Sequence, residues 1–174
     1  MSNLQFSKDL EHGRIGEKWY YDYCIDKGII CIPVKDDEFI GYEGGIDFLV
    51  QYQDLSIWKV DVKFCSRIHQ TGNMFIEMYQ DTGKIGWYYK SKCNAYCYID
   101  EYNGILWIYT KAALQEYIDT HKTSLRNTTN KIDGCYVTGT LVNVNNFAAW
   151  CKNNNHNLVK YVRMLDIEDI DEVL

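Results

Sequence analysis

The sequence predicts a mixed α/β (α+β) domain, with one central mixed sheet flanked by helices. Three observations predict it. Ile15, Trp19 and Tyr23 recur at four-residue spacing near the N-terminus, the apolar stripe of a helix. Ile57–Phe64 alternates apolar even positions (Trp58, Val60, Val62, Phe64) with charged odd ones (Lys59, Asp61, Lys63), the period of a strand. Two apolar runs, Ala95–Ile99 and Ile105–Tyr109, flank Asn103-Gly104, a hairpin signal. The order of elements is helix, several successive strands, helix, strand, helix, which is not the regular alternation of a βαβ fold.

The first helix is read from Ser7 or Asp9 to Lys27, with Gly28 as its stop. Ile29–Val34 is a short strand and Lys35–Gly45 a polar, acidic loop. The strands Ile46–Val50 and Ile57–Phe64 are joined by a turn around Gln53-Asp54. After a polar connection over Ser66–Asn73, Met74–Tyr79 is a strand with Glu77 as its one charge. Gly86–Lys92 is a helical turn or a shaped loop. Thr110 is the N-cap of a helix over Lys111–Thr120. His121–Asp133 reads as polar and mobile. A strand near Tyr136–Val144 and a short helix from Asn145 or Asn146 to Lys152 complete a single domain over residues 1–164, followed by an acidic tail over 165–174.

A chain of 174 residues is long enough for one proper core, and 47% hydrophobic with 24% charged residues is ordinary for a globular domain. Fifteen tyrosines suit a sheet that meets a polar partner on one side. The net charge of −6 argues at face value against nucleic acid, whose binders are usually basic. The distribution changes that reading. The tail holds five acids and no base, so the rest of the chain is near −1. From Lys59 to Lys92 there are six bases against three acids, a locally basic face. Seven cysteines without a CxxC pair and four scattered histidines do not make a zinc framework; they read as reduced thiols used as small apolar residues. The first residues carry no signal-peptide pattern and no segment has membrane-spanning length, so the expectation is a cytoplasmic protein with no membrane partner.

The chemistry centres on Asp47, Asp61 and Lys63. Alternation puts Asp61 and Lys63 on one strand face, and Asp47 stands near the start of the neighbouring strand. Both acids lie inside apolar runs, where an unpaired carboxylate is costly. Two carboxylates and an ammonium gathered there can hold a divalent cation and activate a water beside it, the outline of a phosphodiesterase. The plainer reading is a surface salt bridge on an exposed strand face. Glu17 supplies a third acid from the first helix, where Gly13 and Gly16 remove bulk and permit close approach.

On these residues the chain resembles the PD-(D/E)xK nuclease superfamily: a helix with a glutamate, an acid opening one strand, and acid-x-Lys on the next. The matching segments are Gly13-Arg14-Ile15-Gly16-Glu17, Gly44-Gly45-Ile46-Asp47-Phe48 and Asp61-Val62-Lys63. The stretches Thr71–Glu77 and Gly86–Lys92 look like a phage and bacterial branch of small endonucleases similar to Holliday-junction resolvases. The resemblance covers about Gly13 to Ile99. Ile46 stands where the family pattern has proline, and Asp61 where glutamate is often found, which shortens the ligand arm. The resemblance implies a restriction-endonuclease-like core and a Mg²⁺- or Mn²⁺-dependent endonuclease acting on DNA, in a bacterial or phage-infected cell. It implies Asp47, Asp61 and the Val62 carbonyl as ligands, Lys63 as the group that orients water or neutralises charge on the phosphate, and Glu17 as holder of a water of the ion's shell or of a second ion.

Glu77 either joins the metal site or pairs with Lys59 or Arg67. Lys59, Arg67, Lys90, Ser91 and Lys92 are candidate nucleic-acid contacts, set against a solvated surface. Trp87 and the adjacent tyrosines either stack on bases of distorted or single-stranded substrate or belong to the core. The leading expectation is cleavage of DNA, branched or otherwise structured. The same site cutting RNA is its close variant. The alternative class is a non-catalytic nucleic-acid- or partner-binding protein on a nuclease-like scaffold. A homodimer would match paired cuts by two-fold symmetry.

Overall fold

The computed structural model of the chain describes residues 3–35, 44–52, 54–65, 67–132 and 135–163. Its elements are α1 (Asn3–Asp26), β1 (Ile30–Pro33), β2 (Phe48–Gln51), β3 (Ile57–Cys65), α2 (Ile68–Thr71), β4 (Asn73–Gln80), α3 (Trp87–Lys90), β5 (Ala95–Asp100) and β6 (Ile105–Thr110). They continue with α4 (Lys111–His121), β7 (Arg126–Ile132), β8 (Cys135–Asn143), α5 (Val144–Asn153) and β9 (Leu158–Val162). Helix α1 begins earlier than the sequence reading because neither Gly nor Pro interrupts the chain before Gly13. It stops where Gly28 turns left-handed, at φ 64°.

The class is as read, a mixed α/β structure whose central sheet has six strands in the order β1-β2-β3-β5-β6-β9. β3 and β5 are parallel and the other neighbouring pairs are antiparallel. The expectation of a single sheet is corrected. β4, β8 and β7 form a separate three-stranded antiparallel sheet. The segment over His121–Asp133, read as mobile, contains β7, and β9 was not foreseen.

Each face of the central sheet is covered. Phe48, Val50, Val60, Ala95, Cys97 and Leu106 pack with Trp19, Tyr20 and Tyr23 of α1, so the helical stripe points inward as its spacing predicts. On the other side Tyr96, Tyr98, Trp107 and Tyr109 pack with Met74, Ile76 and Met78 of β4, with Leu114 and Tyr117 of α4 and with Phe147 of α5. Burial from both sides accounts for β5, in which all six residues are buried. Thr110 caps α4 as expected, its Oγ1 accepting from the Ala113 N–H at 3.1 Å. All seven cysteines are free thiols. No helix among the described residues is long and apolar enough to cross a membrane. The acidic tail and most of the Lys35–Gly45 loop lie outside the described residues.

Candidate active site

β3 carries the site. In the parallel register Asp61 lies opposite Tyr96 and Lys63 opposite Tyr98. Paired residues share a face, so both charged side chains belong to the layer between the two sheets. Asp61 is 1% exposed, because the second sheet and the helices cover that face. The surface-salt-bridge reading therefore does not fit. Lys63 Nζ forms an ion pair with Asp61 Oδ1, and neither carboxylate oxygen accepts a hydrogen bond from any other group among the described residues.

Asp47 is brought alongside by the β2–β3 hairpin. The ladder closes at Phe48↔Val60, and the Asp47 N–H still donates to the Val60 carbonyl at 2.9 Å. Beyond that point the Asp47 side chain takes over the acceptor role, with Oδ2 receiving the Val62 N–H at 2.6 Å. The chain leading to it is clamped by the segment after α3. Ser91 Oγ donates to the Gly45 carbonyl at 2.9 Å, and the Lys92 N–H donates to the Gly44 carbonyl at 2.7 Å. Gly45 sits at φ 57°, where a side chain would be strained.

The electrostatics follow from this crowding. Burial pushes the Asp47 carboxyl up to about 7, and the charge of Asp61 adds to the rise. Lys63 and the Val62 N–H pull it back, while Glu17 adds a smaller push upward. For Lys63, burial opposes the charged form, but Asp61 and Asp47 outweigh it and the ammonium is held above its ordinary value. Glu17 thus lies close enough to act on Asp47. Its helix approaches β3 at Gly16, where a Cβ would come within 2.8 Å of Phe64 Cδ2.

The structure therefore brings Asp47, Asp61, Val62 and Lys63 together, with Glu17 on α1 near enough to act on Asp47. No three His, Cys, Asp or Glu side chains among the described residues lie close enough together to hold one metal ion, so Glu17 does not complete a ligand set with the two aspartates. Two carboxylates and a buried Asp61 oxygen without a hydrogen bond still fit a cation that retains several waters, as Mg²⁺ does.

The remaining candidates separate. Glu77 forms no ion pair with Lys59 or Arg67 among the described residues; its Oε1 accepts from Gln80 Nε2 at 3.2 Å. Lys59 neighbours Asn94, which accepts its N–H, whereas Arg67 lies past the other end of β3 as the N-cap of α2. Lys59, Arg67, Lys90 and Lys92 are exposed. Ser91 is 3% exposed with its hydroxyl engaged, so it braces the loop before Asp47 rather than facing solvent. Of the aromatic cluster, Tyr88 joins the core and Tyr89 stays exposed.

Sequence reasoning missed two neighbours of the centre, Tyr96 and Cys93, and named Trp87 without placing it there. Tyr96 is beside Asp61, Cys93 is near enough to be pushed up by burial and by Asp61, and Lys63 Nζ lies 5.4 Å from the centroid of the Trp87 ring. For Tyr96 the signal was the parallel β3–β5 register, which a single strand pattern does not reveal. Comparison of the chain with protein-family models, with curated proteins and with solved structures found no significant match in any of the three.

Proposed function

We propose that this protein is a Mg²⁺- or Mn²⁺-dependent endonuclease, cutting phosphodiester bonds in DNA ahead of RNA. The observation that carries the reading is the buried Asp61 carboxylate. It is paired with Lys63, it shares its field with Asp47, and it keeps an oxygen without a hydrogen bond. A fold retains such a costly arrangement where chemistry needs it. Asp47, Asp61 and the Val62 carbonyl would hold the ion, which when bound supplies a Lewis acid and a water of lowered pKa.

The chain's own groups do the rest. The Lys63 ammonium, fixed by Asp61, neutralises charge as it develops on the phosphate. Asp47 holds the Val62 N–H and so fixes the backbone between the two acid-bearing positions. Glu17 adds negative potential from α1 and would orient water. The order of parts, a helix with Glu17, then Asp47 opening β2, then Asp61-x-Lys63 on β3, is the order the resemblance expects.

Cleavage of a substrate panel tests this. Linear duplex, single-stranded DNA, a four-way junction and RNA are incubated with Mg²⁺ or Mn²⁺, and wild type is compared with Asp61→Asn. Metal-dependent cutting that vanishes in the variant is the expected result; undiminished cutting by Asp61→Asn excludes the site. One observation favours the non-catalytic alternative, the lack of a three-ligand set among the described residues. On that reading the protein binds nucleic acid and cuts nothing in the panel.

A further inference from the structure

Beside the carboxylates, the crossover from β3 to β5 builds a groove of about 760 Å³ that the site chemistry does not use. Glu77 and Gln80 of β4 form one wall, Lys84 and Ile85 of the following turn another, and Trp87 and Lys90 of α3 the third. The turn is pinned in place. Gln80 N–H donates to the Lys84 carbonyl at 2.9 Å, and Gly83 takes φ 77°. Gly86 N–H donates to the Met78 carbonyl at 2.7 Å, and any Cβ on Gly86 would come within 2.5 Å of the Glu77 carbonyl.

Two half-exposed rings that touch each other adjoin its lining in sequence, Tyr79 before Gln80 and Tyr89 before Lys90. Tyr79 is 52% and Tyr89 49% exposed, with centroids 5.4 Å apart and planes inclined at 40°. Ile85, bridged to Tyr79 across the turn, is also exposed. Lys84 and Lys90 are exposed at the rim, and Glu77, the acid among the described lining residues, accepts from Gln80 Nε2. Trp87 links the groove to the centre, lining the one and lying 5.4 Å from Lys63 Nζ.

We propose that this groove seats an unpaired nucleic-acid strand, with bases stacked on Tyr79 and Tyr89 and phosphates against Lys84 and Lys90. Flat exposed rings beside ammonium groups match bases and phosphates presented together. A duplex offers the phosphates but hides its base faces, so the groove selects single-stranded or unstacked segments. That the strand runs on toward Lys63 rests on the nuclease reading above; the binding itself does not.

The experiment measures binding by fluorescence anisotropy in EDTA, where no cutting occurs. The probes are labelled thymidine and uridine oligomers of about 20 nucleotides, longer than one binding site, and a duplex of the same length. Tyr79→Ala/Tyr89→Ala is expected to weaken oligomer binding by at least about 10-fold, and Tyr79→Phe/Tyr89→Phe to retain it. Lys84→Ala/Lys90→Ala should flatten the salt dependence of log K by about 1.4, two phosphate contacts' worth on a single strand. All four side chains are exposed, so an unchanged melting temperature is expected. Oligomer binding untouched in both alanine doubles, or tighter binding of duplex than of either oligomer, overturns the proposal; the two oligomers report the sugar. Binding without cleavage in the metal panel would sink the nuclease reading and leave this one standing. Cleavage indifferent to the groove variants would do the reverse.

Discussion

At Asp61 a carboxylate with almost no access to water depends on a single ammonium whose side chain is 26% exposed. Removing that ammonium strands the charge. Lys63→Ala should therefore lower unfolding stability by about 3 kcal/mol, the usual cost of breaking a buried pair from one side. The double variant Asp61→Asn/Lys63→Met should recover most of it; urea titration of the three proteins checks both. On the nuclease reading proposed above, Asp47→Asn or Lys63→Ala should slow cleavage at least about 100-fold, near 3 kcal/mol of barrier, in single-turnover assays.

Asp47 gives the pH dependence. Its folded value, about 7, lies above that of an unfolded aspartate, about 4. The native state then holds a proton that the unfolded chain has released, so unfolding sheds a proton in that window and stability falls as pH rises. The contribution is complete below about pH 4 and lost as pH passes about 7. Thermal melts in EDTA should show this fall for wild type and a flatter profile for Asp47→Asn, in which Asp61, Lys63 and Glu17 still face the position. Asp47, Asp61 and Lys63 were singled out by strand alternation together with the family resemblance. The burial of Asp61 was not legible there, because it depends on what covers β3 and not on β3 itself.

Elements with strong local signals were readable: the inward stripe of α1, the β2–β3 and β5–β6 hairpins, the Thr110 cap. Thr110→Ala should cost about 1 kcal/mol in chemical denaturation. At the α1–β3 crossing, Gly16→Val should cost more than the cap, since a Cβ already meets Phe64 at 2.8 Å. On the proposed reading, with Glu17 orienting water beside the ion, it should also shift Glu17 from Asp47, which a smaller metal-induced rise in melting temperature would report. β7 escaped because Arg126-Asn127-Thr128-Thr129-Asn130-Lys131 has no apolar alternation. Its cohesion is polar, with Thr129 bonded to Thr138 at 3.0 Å and Thr140 to Asn127 at 2.7 Å. The β-branched threonines were its one sequence cue.

For the whole molecule, the division into two sheets was beyond sequence patterning because it hangs on distant pairings such as Asn73↔Asn143. Beyond apolar packing, two phenols of the central sheet reach β4, and Tyr109 donates its hydroxyl to Met74 Sδ at 3.4 Å. Tyr98, on the central sheet, donates its hydroxyl to the Phe75 carbonyl at 3.0 Å and accepts the Phe75 N–H at 3.1 Å. β4 is an edge strand, so this phenol occupies the position a neighbouring strand would otherwise fill. Tyr98→Phe leaves both backbone groups unpaired and should cost about 1–3 kcal/mol. Amide exchange should quicken in β4 before it does in β5, as the smaller sheet loosens first.

The parallel β3–β5 pair has one more effect. Parallel neighbours cannot be joined by a tight turn, so the chain must leave the central sheet after Cys65 and return at Ala95. That obligatory detour carries β4, the aromatic rim and the lysines of the groove, whereas the carboxylates stay just before β2 and on β3. On the proposed readings, what the protein would grip and what it would cut with are thus written in separable stretches of the gene. Exchange of the detour alone, with Ser91 and Lys92 kept to clamp the loop before Asp47, would retarget the molecule without rewriting its chemistry.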